Sequence, residues 1–281
     1  MNPKISVVTV CFNAVEGVEK TILSVINQTY PDIEYIIIDG GSTDGTVDVI
    51  KKYADHISYW VSEPDKGIYD AMNKGIKAAT GEWINFMNAG DCFVNSMVVQ
   101  QMVGEIDSGI RILRGNIIRV YSNFKIKAVG VTKQDPGLID MFDNTFHHQA
   151  CFVQRSLFND YGLYSTEYEL CSDWKFFFEC VVSHGVKSKY VDLSVAYFAM
   201  DGASSYRSFT YQKERENYLL NKYGEDMYKL LSELAIYRKS KLIRAYYIIS
   251  SHIINYTPKK IYSSLSKMEK ISKKILGIND I

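Results

Sequence analysis

Apolar residues in the first ninety positions form short continuous runs, separated by segments with a helical period. The runs ISVVTVCF (5–12) and EYIIID (34–39) are typical of strands that are covered on both faces. Between them, apolar residues at 18, 22, 25 and 26 follow the helical spacing i, i+4, i+7 and i+8. This alternation predicts a parallel sheet with helices on both of its faces.

The same pattern continues with strands at 57–62 and 83–87, joined by a helix at 68–79, and a further helix is expected at 94–106. After about residue 110 the pattern is less regular. It predicts an antiparallel pair of strands at 112–121 and 125–131, a helix at 172–185 and a last strand at 188–198. We therefore predict the α/β class with a Rossmann-like, mostly parallel sheet and a helical extension. The expected domains are 1–205, with halves 1–110 and 111–205, and 206–281.

Composition and cysteine usage are those of a globular protein of a reducing compartment. Of the 281 residues, 47% are hydrophobic and 23% are charged, which disfavours disorder. The five cysteines are odd in number and form no CxxC pair, so neither a disulfide framework nor a structural zinc site is expected. No stretch approaches the roughly 20 apolar residues of a membrane span, and no signal peptide is expected.

The net charge is zero, but residues 237–281 carry ten Lys and Arg against two acidic residues, a local net of +8. Two apolar stripes at helical spacing run through this tail with lysines between them, which is typical of helices that bind an anionic membrane surface. Packing of these stripes on the rest of the chain, or on a second subunit of a homodimer, is an equal alternative. Nucleic-acid binding is disfavoured because the tail contains no recognisable module.

A loop segment with at least one polar residue follows each of the four predicted parallel strands, at the edge where such sheets bind ligands. These segments are Phe12-Asn13, Asp39, 63–67 and 88–91. Asp39 precedes two glycines and could accept hydrogen bonds from a nucleobase imide or a ribose, with a turn or helix cap as the equal alternative.

Two turns at this edge carry charge. In EPDKG, Asp65 and Lys66 lie where the ammonium could meet a diphosphate, although a solvated β-turn is the simpler reading. In NAGD, Asp91 could bind Mg²⁺ or Mn²⁺ together with phosphate oxygens, while Asn88 binds ribose or sugar hydroxyls. The alternative for Asp91 is a helix cap.

Four segments carry a resemblance to a known family: ISVVTVCFN, IIIDGGSTDGT, EPDKGIYDAMNKGIKAATGEWINFMNAGD and YELCSDWKFF. In order and spacing they resemble the family-two glycosyltransferases of the GT-A fold that build bacterial surface polysaccharides such as O antigen. The resemblance is dense over 5–95, moderate to about 205 and absent from the tail. It implies inverting transfer of a sugar from a nucleotide-sugar, commonly a UDP-sugar, assisted by Mn²⁺ or Mg²⁺.

The resemblance implies a role for each matching residue. Phe12, with Val10 beside it, matches the residue that packs on the uracil, and Asp39 matches the carboxylate that binds the base. Asp91 ends the metal-binding DxD region, and Asp173 serves as the catalytic base, whereas a helix N-cap is its structural alternative. The chain departs from the family at positions 88 and 90, where aspartates are common among family members. It also has Met72 where many members have an arginine, so Lys66 would supply the missing positive charge. The residues expected to hold the donor are Val10, Phe12, Asn13, Asp39, Asp65, Lys66, Asn73, Asn88 and Ala89.

We expect His148 and Trp174 to bind the acceptor, although ordinary polar and core roles are open for both. QKERE (212–216) lacks the tryptophan of the QxxRW signature, so addition of a single sugar is expected rather than polymer synthesis. DGASS (201–205) is predicted to form a loop over the site. The expected acceptor is a saccharide linked to a polyprenyl diphosphate, at the cytoplasmic face of the cell membrane. The alternative function is a non-catalytic subunit that binds a sugar nucleotide or a saccharide.

Overall fold

The chain is represented by a computed structural model that describes residues 2–200 and 208–239. Its N-terminal half contains four strands that pair in parallel in the order β3-β2-β1-β4. They are β1 (Ile5–Cys11), β2 (Ile33–Asp39), β3 (Tyr59–Ser62) and β4 (Trp83–Phe86). β1 and β2 are buried almost throughout, as their continuous apolar sequences predict.

Three helices connect these strands: α1 (Val15–Ile26), α2 (Thr46–Lys52) and α3 (Ile68–Ala78). α1 buries Val18, Ile22 and Val25, three of the four residues whose spacing predicted it. The parallel α/β arrangement predicted for this half of the chain is confirmed.

The second half extends the same sheet with mixed pairing. It contributes β5 (Cys92–Phe93), β6 (Ile112–Val120), β7 (Lys125–Ala128), β8 (Cys151–Gln154) and β9 (Ser188–Ala199), with helices α4 (Val98–Val103), α5 (Leu138–Asp143), α6 (Ser156–Tyr161) and α7 (Ser172–Phe178). The sheet continues from β4 through β8, β6 and β9 to β5. β6 and β7 are antiparallel, as predicted. α4 is shorter than the helix predicted at 94–106, and a π-helical turn (Glu179–Ser183) extends α7.

The chain divides into two units, Met1–Gly224 and Glu225–Ile281. The first ends with α8 (Ser208–Tyr223), and the described part of the second is α9 (Glu225–Lys239). The domain boundary predicted after residue 205 stays a prediction. The predicted loop at 201–205 and nearly all of the basic tail lie outside the described residues. Within the described ranges, no helix is long and apolar enough to cross a membrane.

Candidate active site

A cavity of about 640 Å³ opens in the first unit at the carboxyl ends of the parallel strands. Its volume is in the range of small-molecule sites. Five of the predicted site residues line it: Phe12, Lys66, Asn88, Ala89 and Asp91. The Phe12 side chain is 63% exposed, which is unusual for a phenylalanine next to a buried strand. A flat aromatic surface is therefore available to a ligand.

The turn of residues 88–91 follows β4 and is held against α1. Gly90 adopts a φ of 99°, a conformation that favours glycine, and a Cβ on Gly17 of α1 would lie 3.1 Å from the Gly90 Cα. The Thr21 hydroxyl accepts the Gly90 N–H at 3.0 Å and donates to the Asp91 carbonyl at 2.6 Å. The turn is thus fixed by close backbone packing, which explains its small and polar residues.

Asp91 places a buried carboxylate in the cavity wall. Its Oδ2 accepts a hydrogen bond from Gln149 Nε2 at 3.1 Å, and its Oδ1 accepts the Ala199 N–H at 3.2 Å. Burial raises the pKa of Asp91 to about 6, against the lowering effects of His148 and Gln149. Each carboxylate oxygen retains a second lone pair.

The cation-binding capacity of this wall rests on one carboxylate. The described residues contain no cluster of three or more His, Cys, Asp and Glu side chains that could hold a metal. The Oδ1 of Asn88, in the same turn, is buried and has no hydrogen-bond partner among the described residues. One carboxylate and one free amide oxygen fit a Mg²⁺ or Mn²⁺ ion that takes its other ligands from a diphosphate and water.

Asp39 is fully buried, so its carboxylate does not face the cavity. Its oxygens accept hydrogen bonds from the backbone N–H groups of Gly41 and Ser42 and from the hydroxyls of Ser42 and Ser62. Burial favours a higher pKa for Asp39, but these hydrogen bonds outweigh it and hold the pKa below its usual value. These hydrogen bonds fix the loop after β2 to β3, and the base-binding role that the resemblance implied for Asp39 stays a prediction.

The turn of residues 63–67 stands beside this loop. The Asp65 Oδ1 accepts the Gly67 N–H at 2.8 Å, and Asp70 accepts the Lys66 N–H at 3.0 Å. Lys74 donates to the Pro64 carbonyl at 3.0 Å and forms an ion pair with Glu63 at 2.8 Å. Lys66 lines the cavity. The EPDKG segment is therefore a turn that is held by hydrogen bonds, and four of its five residues are exposed to solvent.

Asp173 lies at the start of α7, directly behind the cavity wall, and is 14% exposed. Tyr69, which lines the cavity, donates from its hydroxyl to Asp173 Oδ1 at 2.9 Å, and His148 Nδ1 lies 2.9 Å from Asp173 Oδ2. His148 Nε2 is in turn 3.3 Å from the side-chain nitrogen of Asn88. Burial favours a raised pKa, but the interactions with His148 and Tyr69 hold the pKa of Asp173 below its usual value. Asp173 is therefore ionised near neutral pH and can accept a proton.

Helix α8 fixes the segment that leads into Asp173. The Glu214 carboxylate accepts the backbone N–H groups of Glu169, Leu170 and Cys171 at 2.6, 3.0 and 3.0 Å. Residues 166–170 line the cavity, so α8 holds one of its walls.

The two residues predicted to bind the acceptor, Trp174 and His148, differ in their exposure to solvent. Trp174 is completely buried: its indole N–H donates to the Met141 carbonyl, and the Arg215 guanidinium stacks 4.4 Å from its ring. Its side chain is core, and it cannot touch a ligand directly. Arg215 also donates to the Phe142 carbonyl at 2.8 Å, so it supports the fold here. His148 is 17% exposed and joins the Asp173 network.

Three of the residues predicted to bind the nucleotide-sugar donor make contacts within the protein. Val10 is buried within β1. Asn13, at a φ of 47°, accepts the Thr43 N–H at 3.0 Å, and Asn73 exchanges two hydrogen bonds with the backbone of Tyr164. Sequence reasoning did not single out Tyr69, Gln149 or the wall of residues 166–170, because their spacing follows no ligand motif and only the fold brings them to the cavity.

Comparison with known proteins identifies relatives of the N-terminal half and of most of the chain. The model of the family described as Glycosyl transferase family 2 matches residues 6–162, more than half of the chain. A PGL/p-HBAD biosynthesis glycosyltransferase of Mycobacterium bovis is 29% identical over 209 residues, which cover 72% of this chain and 79% of that protein. An uncharacterized glycosyltransferase of Mycobacterium tuberculosis is 35% identical over 181 residues, covering 62% and 67%.

Solved structures share the fold at low sequence identity. S. aureus TarS 1-349, in complex with UDP, superposes with a TM-score of 0.61 at 17% identity, over 78% of this chain and 66% of that chain. The mannosyltransferase PcManGT from Pyrobaculum calidifontis, in complex with GDP-Man and Mn²⁺, gives a TM-score of 0.59 at 14% identity, over 99% and 89%. The predicted fold class is thereby confirmed.

Proposed function

The chain belongs to glycosyl transferase family 2 and is a glycosyltransferase, and from this premise we propose that it moves one sugar from a nucleotide-sugar to a saccharide hydroxyl, with inversion at the anomeric carbon. The observation that carries the proposal is the chain of side chains from Asp173 through His148 to Asn88. It links a proton-accepting carboxylate to the turn that lines the cavity. Family membership and this carboxylate favour an enzyme over a non-catalytic binding subunit.

The donor we propose is a UDP-sugar. The exposed ring of Phe12 supplies a surface on which a base can stack, and Lys66 supplies positive charge for a diphosphate. Two structures of the TarS fragment, one with UDP and one with UDP-GlcNAc, support a nucleotide-sugar at this type of site. The sugar itself would face the wall of residues 166–170.

A divalent cation, Mn²⁺ or Mg²⁺, would be held by Asp91 and the Asn88 amide oxygen. Bound there, it would supply stabilisation of the negative charge that develops on the departing diphosphate. The complex of PcManGT with Mn²⁺ supports a metal in this fold.

In the proposed reaction, Asp173 accepts the proton of the acceptor hydroxyl while that oxygen attacks the anomeric carbon. Attack from the face opposite the diphosphate inverts the configuration. Tyr69 and His148 each bind one oxygen of Asp173 and so fix its orientation. A positioned base of this kind contributes a rate factor of about 10²–10⁴.

The acceptor we propose is a saccharide on a polyprenyl diphosphate, in the assembly of a surface polysaccharide such as O antigen. The mycobacterial relative named for PGL/p-HBAD biosynthesis supports a lipid-bearing acceptor. The basic tail would bind the anionic cytoplasmic face of the membrane and so keep the enzyme peripheral. Its packing on the protein or in a homodimer is the alternative.

The test begins with thermal unfolding in the presence of UDP-, GDP- and dTDP-sugars, with and without Mn²⁺, because a ligand of the native state raises its apparent stability. The stabilising donor is then incubated with polyprenyl-diphosphate-linked saccharides, and released nucleoside diphosphate and anomeric configuration are measured. We expect Asp173→Asn to bind the donor and to transfer at least about 100-fold more slowly, whereas the exposed Asp55→Asn control is unchanged. A normal rate for Asp173→Asn would remove the proposed base.

A further inference from the structure

The hairpin of β6 and β7 exposes apolar side chains at its tip. The Tyr121 N–H donates to the Phe124 carbonyl at 2.9 Å, which closes a turn of two residues, and the rings of Tyr121 and Phe124 stack with their centroids 4.5 Å apart. Every residue from 122 to 127 is exposed. Phe124 is 54% exposed and Ile126 is 49% exposed. Because alternate residues of an extended chain lie on one face, these two side chains form a continuous apolar surface.

Positive charge lies directly behind this tip. Residues 117–128 contain Arg119, Lys125 and Lys127 and no Asp or Glu. Lys127 forms an ion pair with Asp192 at 2.6 Å, whereas Arg119 and Lys125 form no ion pair with the residues that the structure describes. Both of these cations start one or two residues, or about 3–7 Å, behind the aromatic rings along the hairpin.

An exposed aromatic tip with cations behind it is typical of segments that bind the interface of an anionic membrane. Aromatic rings lie at the level of the lipid headgroups there, and the long side chains of Lys and Arg carry their charged ends to the phosphates. Lysines on an edge strand also protect it against unwanted pairing. That protective role does not explain why Phe124 and Ile126 stand exposed beside the lysines.

The charges of the hairpin argue against a second copy of the chain as the partner of this surface. Among the described strands β7 pairs only with β6, so its outer edge is open. Antiparallel pairing of two copies of β7 would bring Lys125 and Lys127 of one copy close to the same residues of the other. Like charges in that arrangement are destabilising, whereas an anionic lipid surface is complementary to them.

We propose that the tip of the β6–β7 hairpin docks on an anionic lipid bilayer. Tyr121, Phe124 and Ile126 enter the interface, and Arg119 and Lys125 contact the headgroup phosphates. This surface belongs to the first unit of the chain and is separate from the basic tail. Its docking requires neither a donor nor an acceptor.

Docking through the hairpin brings the cavity to the membrane. In the pairing of β6 with β9, Arg119 is opposite Phe198 and Val120 is opposite Ala199, and both β9 residues line the cavity. The hairpin tip at Tyr121 therefore lies only about 3–7 Å further along the strand than this cavity wall. The consequence for catalysis rests on the proposed function: an acceptor anchored in the same bilayer reaches the cavity without leaving the membrane.

The first test places a fluorescent residue at the tip of the full chain. Phe124→Trp is mixed with vesicles of phosphatidylglycerol and phosphatidylcholine, and the emission of the wild type, with its three tryptophans, is subtracted. We expect the added emission to move to shorter wavelength and to be quenched by brominated acyl chains. Both effects should be much weaker with vesicles of phosphatidylcholine alone. The matched control is Tyr59→Trp, at an exposed aromatic residue of the edge strand β3.

The second test measures vesicle affinity by co-sedimentation. Each cation near the headgroups contributes about fivefold, so Arg119→Gln with Lys125→Gln should bind about 20- to 30-fold more weakly. Phe124→Ser with Ile126→Ser should lose at least about tenfold, because two apolar side chains no longer enter the interface. The control for charge is Lys77→Gln with Lys213→Gln, two exposed lysines outside the hairpin, and it should bind as the wild type does.

The third test separates docking from catalysis. Phe124→Ser with Ile126→Ser should transfer sugar more slowly to an acceptor embedded in vesicles, and at the wild-type rate to the same acceptor in detergent. An unshifted and unquenched tryptophan at position 124, in a protein that still sediments with vesicles, would overturn this inference alone. A dimer that the serine variant dissociates in light scattering would also overturn it, since the partner would be a second copy. No transfer by the wild type to either form of the acceptor would overturn the proposed function and leave the vesicle result unaffected.

Discussion

His148 Nδ1 lies 2.9 Å from Asp173 Oδ2, and the two residues come from segments 25 positions apart in the sequence. Because Asp173 is ionised, its Oδ2 can accept the N–H of Nδ1, and Nε2 on the other side of the ring lies 3.3 Å from the side-chain nitrogen of Asn88. One imidazole therefore connects the base to the cavity turn through two different nitrogen atoms.

Substituting His148 separates these two contacts. His148→Asn places an amide N–H near the Nδ1 position and retains the contact with Asp173, whereas His148→Gln places its amide near Nε2. If orientation of Asp173 is the important contact, we expect kcat to stay within about 5-fold in the asparagine variant and to fall about 10- to 100-fold in the glutamine variant, with UDP affinity unchanged. Steady-state kinetics with the exposed His56→Gln as control measure this. Equal kcat values in the two variants would contradict it.

Glu214 provides a second prediction, because its carboxylate binds three consecutive backbone N–H groups in the segment before Asp173. Glu214→Gln leaves at least one of these donors unpaired, so we expect a loss of about 1–3 kcal/mol in the free energy of unfolding. The loosened wall should raise the acceptor KM while UDP affinity is retained. The matched control is the exposed Glu216→Gln on the same helix, and equal behaviour of the two variants would argue against the clamp.

The parallel half of the fold could be predicted from the sequence because each local signal there is self-contained. The continuous apolar runs of β1 and β2 predict strands that are buried on both faces, and the helical period of α1 predicts one buried helix face. The structure buries these residues in the sheet and in its contact with α1. The turn of residues 88–91 could also be located, since it must follow β4 at the ligand edge of the sheet.

The direction of individual side chains could not be predicted. Asp39 and Trp174 match a motif, yet Asp39 is sealed by donors from neighbouring loops, and Trp174 is enclosed by α5 and by Arg215 of α8. Those partners lie between 2 and 41 positions away in the sequence, and the tertiary structure brings the distant ones together. Gly40 and Asp65 show the same limit, because their proximity depends on the packing of two separate loops.

Asp91 allows a test of the cation. Its carboxylate would be the one charged ligand, so Asp91→Asn should abolish the additional rise in Tm that Mn²⁺ gives in the presence of UDP. Burial raises the pKa of Asp91 to about 6 in the folded protein, above the value of 3.8 for a free side chain. The buried charge therefore opposes folding at neutral pH, and the metal-free variant should be no less stable than the wild type. Thermal unfolding with and without EDTA measures both effects, and a Mn²⁺ response that survives in the variant would exclude Asp91 as the ligand.

The lowered pKa of Glu34 predicts that the free energy of unfolding falls in acid. Burial would raise the pKa of Glu34, but hydrogen bonds from Ser6, Thr80 and Lys4 lower it to about 2, from the 4.5 of a free side chain. Because the folded pKa is the lower one, this contribution is complete above about pH 4.5 and is lost as the pH falls towards 2. It amounts to about 3 kcal/mol.

Urea unfolding between pH 2 and pH 7 measures the Glu34 effect. The difference in unfolding free energy between the wild type and Glu34→Gln should be largest at pH 7 and should shrink below pH 4.5. The exposed Glu16→Gln provides the control. A difference that does not change with pH would contradict the assignment.

Gly75 and Val8 give the last prediction, at the contact between α3 and β1. A Cβ on Gly75 would lie 2.4 Å from Val8 Cγ1, and Val8 is completely buried. Gly75→Ala should therefore destabilise the protein by about 1–3 kcal/mol, although the same change at an open helical site stabilises by roughly 0.5–1 kcal/mol.

Val8→Ala removes the colliding methyl groups and leaves a cavity that the new alanine partly fills. In urea unfolding of both single variants and the double variant, we expect the double variant to lose less than the sum of the single losses, because the two positions share one volume. Additive losses would show that the helix moves away from the strand instead.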